Sequence, residues 1–190
     1  MMHTGRNKKG YTLIELLAAV FISGVLLAGL YTVFFSQQTA FSAQEQIAEM
    51  TQNIRAGLDL MTREIRLAGY KTSTSTFNGI ATATSTSIQV LADLNQDGDT
   101  SDTDEDITYS YNAGTLEIRR NGTSLADNIT AITFTYTLAD GSVTSSPANP
   151  ADIRKISVSI TARTTNPDQR TGAYRLITLT SDITPRNMAS

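Results

Sequence analysis

The sequence predicts an α+β chain: one long N-terminal helix followed by an antiparallel β-sheet. Three observations carry that reading. Residues 11–35 form an apolar run in which Glu15 is the one charged residue. A seven-residue recurrence continues past it through Ile47, Ile54, Met61 and Ala68, the signature of an amphipathic helix. After Ser87 apolar residues recur every second position, as in strands with one face buried and one wet.

The chain has 190 residues, enough for one compact domain with an appended element. Hydrophobic residues make up 40% and charged residues 17%, which supplies a core and excludes a disordered charged tail. A formal net charge of -3 leaves no overall footprint for nucleic acid. There is no Cys, hence no disulfide, thiolate zinc site or cysteine nucleophile. The single histidine, His3, lies at the extreme N-terminus.

The first element, residues 11–35, would be roughly 37 Å long as a helix, longer than the ~30 Å apolar core of a bilayer. Arg6, Lys8 and Lys9 flank it on the N-terminal side, which places that end in the cytoplasm. A secretory signal has a shorter apolar core and a small-residue cleavage site; the segment after Phe35 offers no Ala-x-Ala pattern. A plain single-pass anchor explains the run but not Glu15. A carboxylate inside a span costs about 2.5–3.5 kcal/mol at its centre and less near its end, so it calls for a partner. Cleavage before Tyr11 would create an ammonium that a neighbouring chain could offer to this carboxylate. Paired, the two charges would fix the register between chains.

The stretch Lys8-Lys9-Gly10-Tyr11-Thr12-Leu13-Ile14-Glu15 resembles the class III signal of type IV prepilins and type II secretion pseudopilins. The resemblance implies cleavage after Gly10 by prepilin peptidase, N-methylation of Tyr11, and subunit pairing through Glu15. Residues 1–10 would then be a leader peptide. Family members usually start the mature chain with Phe, so Tyr11 is a departure. The Pro that many pilins carry within the apolar helix is missing. Gly24 and Gly29 are its weak points, at about 1 kcal/mol each relative to Ala. Arg66-Leu67-Ala68-Gly69-Tyr70 is similar to the end of this helix in PilW-type minor pilins.

The amphipathic half, residues 36–70, carries Leu58 and Ile65 at intermediate spacing and ends at Gly69. Arg55, Asp59 and Arg63 stand four residues apart on the opposite face. This stripe suits a helix laid on a sheet better than a coiled coil. Residues 71–86 are rich in Thr, Ser and Ala and read as a connecting loop. Candidate strands follow at residues 87–92, 107–111, 115–119, 129–138, 154–163 and 174–183. Asn112-Ala113-Gly114, Asn121-Gly122 and Asp140-Gly141 are turn signals. The β-domain so defined covers residues 87–184, and 185–190 form a tail. A sheet packed on a long helix is also the pilin fold.

Residues 93–106 hold seven acids, Asp93, Asp97, Asp99, Asp102, Asp104, Glu105 and Asp106. Asp93-Leu94-Asn95-Gln96-Asp97-Gly98-Asp99 fits D-x-[DN]-x-[DN]-G, in which alternate side chains converge on Ca2+ and Gly permits the turn. Continuing the spacing gives Asp93, Asn95, Asp97, Asp99, Ser101 and Asp104 as ligands. With no helix expected on either side, this would be a calcium loop between two strands; the alternative is a solvated acidic hairpin tip.

An enzyme is not expected: no P-loop, dinucleotide fingerprint or serine elbow occurs, and the acids crowd one loop. Loss of the leader removes Arg6, Lys8 and Lys9, and the more acidic remainder opposes nucleic acid. The expected function is a minor pilin or J-type pseudopilin, a structural subunit of a type IV pilus or type II secretion pseudopilus. The resemblance implies prepilin peptidase, other pilin or pseudopilin subunits, an inner-membrane assembly platform and the lipid bilayer as partners. It implies inner-membrane insertion with the N-terminus cytoplasmic, then a place in a pilus or periplasmic pseudopilus. The alternative is a membrane-anchored calcium-binding or adhesion module.

Overall fold

A computed structural model describes residues 10–72 and 75–188; residues 1–9, most of the expected leader 1–10, lie outside the described part, as do 73–74 and 189–190. Helix α1 runs from Leu13 to Leu67. The chain divides into two units, one ending at Gln44 and one beginning at Glu45.

In the first unit, residues 11–35 are exposed throughout. The helix is long and apolar enough to cross a membrane. Two of its hydroxyls are satisfied locally: Ser23 donates to the Ala19 carbonyl at 2.7 Å and Thr32 to that of Ala28 at 2.9 Å. Such back-bonding lets polar side chains sit on an apolar helix without unpaired groups.

In the second unit the helical stripe is buried as expected. Ile54, Met61, Ile65 and Ala68 are fully covered and Leu58 nearly so. Met50 and Gly57 complete the buried face, while Ile47 is half-buried. Gly57 lies under the side chains of Leu125 and Ala126. Arg55, Asp59 and Arg63 are exposed, and Arg63 donates to the backbone carbonyl of Asp59 rather than to its carboxylate. The helix ends at a left-handed Gly69, φ 78°, whose N–H donates to the Leu91 carbonyl, a glycine C-terminal cap. A Cβ on Gly79 would stand 2.2 Å from Gly69 N, so two glycines make this crossing.

The β-region forms two antiparallel sheets rather than one. The first is a meander of β1 (Ile80–Ala83), β2 (Ser87–Leu91), β3 (Asp106–Asn112), β4 (Glu117–Arg120) and β5 (Thr123–Ala126). The second comprises β6 (Ile129–Leu138), β7 (Val143–Thr144), β8 (Ile153–Arg163) and β9 (Leu176–Ile183) in the order β7-β6-β8-β9. Strand β1 lies within the stretch expected to be a loop; Ile80 is its sole strongly apolar residue, and pairing with β2 supplies what its composition does not. The Asn121-Gly122 turn joins β4 to β5, with both residues at positive φ.

The period-two readings hold on the long strands. Ile132, Phe134, Tyr136, Ile156, Val158 and Ile160 are all buried. On β9 the inward positions are Ile177, Leu179, Ser181 and Ile183, and Leu176 faces out. Tyr111 and Tyr136 connect the sheets through their hydroxyls, to the Ile129 and Thr130 carbonyls and to the Thr84 carbonyl. One core cluster joins the α1 stripe to both sheets.

Candidate functional site

Two places carry the sequence expectations. The first is the start of α1. Gly10 and Tyr11 precede the helix, and both are exposed. Thr12 is its N-cap: the Glu15 N–H donates to Thr12 Oγ1 at 3.3 Å. In return Glu15 Oε2 accepts from Thr12 N at 2.8 Å and from Thr12 Oγ1 at 3.0 Å. This is a capping box, Thr-x-x-Glu, in which residue and partner satisfy each other's helix-end groups. Sequence reasoning passed over it, although the signal, Thr12 three residues before Glu15, is plain. Glu15 therefore has a local role at the helix end, and the bonds engage Oε2.

The second place is the loop between β2 and β3. Its base is closed by Ala92 N–H to the Glu105 carbonyl and tied to the helix end by Asp93 N–H to the Tyr70 carbonyl. Gln96 Nε2 donates to Tyr70 Oη at 2.6 Å. Within the loop Asn95, Asp97 and Asp99 each cap the backbone N–H two residues on. Asn95 Oδ1 accepts from Asp97 N, Asp97 Oδ1 from Asp99 N, and Asp99 Oδ1 from Ser101 N and Oγ. These turns fold the loop back on itself and gather its carboxylates.

The gathered set differs from the one the spacing assigns. Asp97, Asp99, Asp102 and Glu105 each present an oxygen within 4.8 Å of the others. Asp93 is fully buried, and its Oδ2 accepts from Gly98 N at 3.1 Å and from Ser75 Oγ at 3.2 Å. Asn95 sends Nδ2 to Asp97 Oδ2 at 2.9 Å and to Asp102 Oδ2 at 2.6 Å; it binds two carboxylates together. Ser101 braces Asp99. Asp104 is outside the set: it takes a left-handed φ of 68° and turns to Arg120, Oδ1 to Nη2 at 2.6 Å. Counting along a twelve-residue loop selects Asp104; the turn at that residue instead brings in Glu105, 2% exposed. Glu105 Oε1 accepts from Leu94 N at 2.7 Å and Asn95 N at 3.1 Å.

The electrostatics are uneven. The Asp99 N–H and then Asn95 hold Asp97 below its ordinary value. Desolvation, reinforced by the charges of Asp97 and Glu105, pushes Asp102 up against the opposing hydrogen bond from Asn95. Like charges drawn together disfavour ionisation of one member. Two buried oxygens, Asp93 Oδ1 and Glu105 Oε2, have no hydrogen-bond partner among the described residues. Each such group costs roughly 1–3 kcal/mol if left unsatisfied.

Comparison with known proteins bears on both ends of the chain. The prokaryotic N-terminal methylation motif matches residues 5–31, across the Gly10–Tyr11 junction and Glu15. The prepilin peptidase-dependent protein B family matches residues 43–179, the amphipathic helix and nearly all of both sheets. No curated protein matches the chain. With a prepilin-type N-terminus on a helix able to span a bilayer, and a helix-on-sheet domain behind it, the chain is a pilin-like protein and belongs to the prepilin peptidase-dependent protein B family.

Proposed function

We propose that the protein is a minor pilin or pseudopilin, a structural subunit built into a type IV pilus or a type II secretion pseudopilus. The observation that carries the reading is the place of Glu15. It is an acid in the first turn of a helix whose stretch up to Phe35 is otherwise uncharged and exposed, one turn after the Gly10–Tyr11 junction that the methylation motif covers. Cleavage there creates a secondary ammonium on Tyr11 after methylation. A neighbour's Glu15 neutralises it in a low-dielectric layer where either charge alone is costly. Oε2 serves the capping box, and Oε1 is the oxygen offered to the neighbour.

The chain inserts with its N-terminus cytoplasmic, meets prepilin peptidase and the inner-membrane assembly platform, and then packs helix against helix with other subunits. Its role is structural rather than catalytic. Glu15→Gln tests this well, because the amide keeps a capping acceptor and removes the charge. The expected result is normal membrane level and processing with loss of incorporation into fibres. Normal incorporation of the variant would overturn the pairing role.

A further inference from the structure

We propose that the loop between β2 and β3 binds one calcium ion through Asp97, Asp99, Asp102 and Glu105. This rests on the loop's own geometry and is independent of the fibre reading.

Crowded acids describe many solvated loops, but two oxygens set this one apart. Glu105 is 2% exposed and Asp93 0%, and Glu105 Oε2 and Asp93 Oδ1 are unpartnered among the described residues. The other oxygen of each is already committed, Oε1 to two backbone N–H groups and Oδ2 to Gly98 N–H and Ser75. The loop backbone therefore orients both carboxylates and leaves each with one free buried oxygen. Buried carboxylates are stable when they are paired or bind a metal. The guanidinium at this end of the sheet does not pair them, since Arg120 is bound to Glu64 and Asp104.

The chemistry selects the ion. An all-oxygen, multiply anionic set suits calcium. Calcium takes 6–8 oxygens at about 2.3–2.6 Å, so opposite ligands stand about 4.6–5.2 Å apart. Four carboxylate oxygens mutually within 4.8 Å fit around such an ion. Magnesium keeps most of its water and takes one or two carboxylates. Asn95 draws Asp97 and Asp102 together by donating to both.

The test uses the full-length chain in detergent micelles, stripped with chelator and titrated with calcium chloride by calorimetry, with melting followed in parallel. One ion per chain and a raised melting temperature are expected, with magnesium chloride a poor competitor. Glu105→Gln and Asp99→Asn should each weaken calcium at least about tenfold, since each removes a charged ligand. Asp99 is exposed, so its variant serves if the buried amide at 105 prevents folding. Asp104→Asn should change affinity by less than about threefold, because Asp104 is engaged outside the ligand set. Absence of both heat and melting shift in the unaltered chain overturns the site. Unchanged affinity in Asp99→Asn, or equal weakening by Asp104→Asn and Glu105→Gln, overturns the ligand assignment.

Discussion

Arg120 Nη2 lies 2.9 Å from Glu64 Oε1 and 2.6 Å from Asp104 Oδ1, so one guanidinium joins α1 to the acidic loop. Arg120 Nε also donates to Glu64, and the Tyr109 hydroxyl donates to Glu64 Oε2. Burial and then this carboxylate push the Tyr109 hydroxyl well above its ordinary value, which keeps it a donor at physiological pH. The side chains of Arg120 and Glu64 are 23% and 15% exposed, so water relieves a broken pair only in part. Arg120→Ala should therefore destabilise by about 2–4 kcal/mol, chiefly by orphaning Glu64. Adding Glu64→Gln should recover part of that loss. A melting series on the three variants checks it; strictly additive losses would contradict the coupling.

Two glycines should respond in opposite directions. A Cβ on Gly57 meets Ala126 Cβ at 3.8 Å and Leu125 Cδ2 at 3.9 Å, ordinary contact. Gly57→Ala should stabilise by up to about 1 kcal/mol through helix propensity, whereas Gly57→Leu should cost about 1–3 kcal/mol by overpacking. A Cβ on Gly79 would strike the backbone of Ala68 and Gly69, so Gly79→Ala should be the most damaging of the three. Chemical denaturation ranks them, and a tolerated Gly79→Ala would contradict the close crossing.

Much of this was legible in the sequence, for reasons that differ by residue. Ile54, Met61 and Ile65, or Phe134 and Val158, face the core because a repeat of seven or two leaves them no other side. Strand β1 was hidden because its Ala and Thr residues match a loop as well as an edge strand, and pairing with β2 decides. Division into two sheets was hidden for a related reason: Tyr111 and Tyr136 join the layers through hydrogen bonds between residues distant in sequence. At the site, the Gly98 turn and Asp93 were readable from the motif. The choice of Glu105 over Asp104 was not, because it follows from one left-handed residue and the position of Arg120 on another strand. Thr12 as partner of Glu15 is legible in the Thr-x-x-Glu spacing itself.

The β8–β9 connection should show an acid dependence. Arg175 Nη2 lies 2.5 Å from Asp168 Oδ2. This bond, followed by the N–H of Arg170, holds the Asp168 carboxyl below its ordinary range. A depressed folded-state pKa stabilises fully above the unfolded value near 3.9 and is lost as pH falls through the folded one. Asp168→Asn should thus melt below the unaltered chain at pH 7, and the gap should close in acid, below about pH 4. A gap that widens in acid would contradict the ion pair's role.

The central claim is that this chain enters the pilin pathway through its Gly10–Tyr11 junction. The most direct measurement is the N-terminus and intact mass of the protein from its native membrane, with and without prepilin peptidase. The account predicts a chain beginning at N-methylated Tyr11 when the peptidase is present and the full-length chain when it is absent. An uncut N-terminus in both would contradict it and leave Glu15 with the capping box alone.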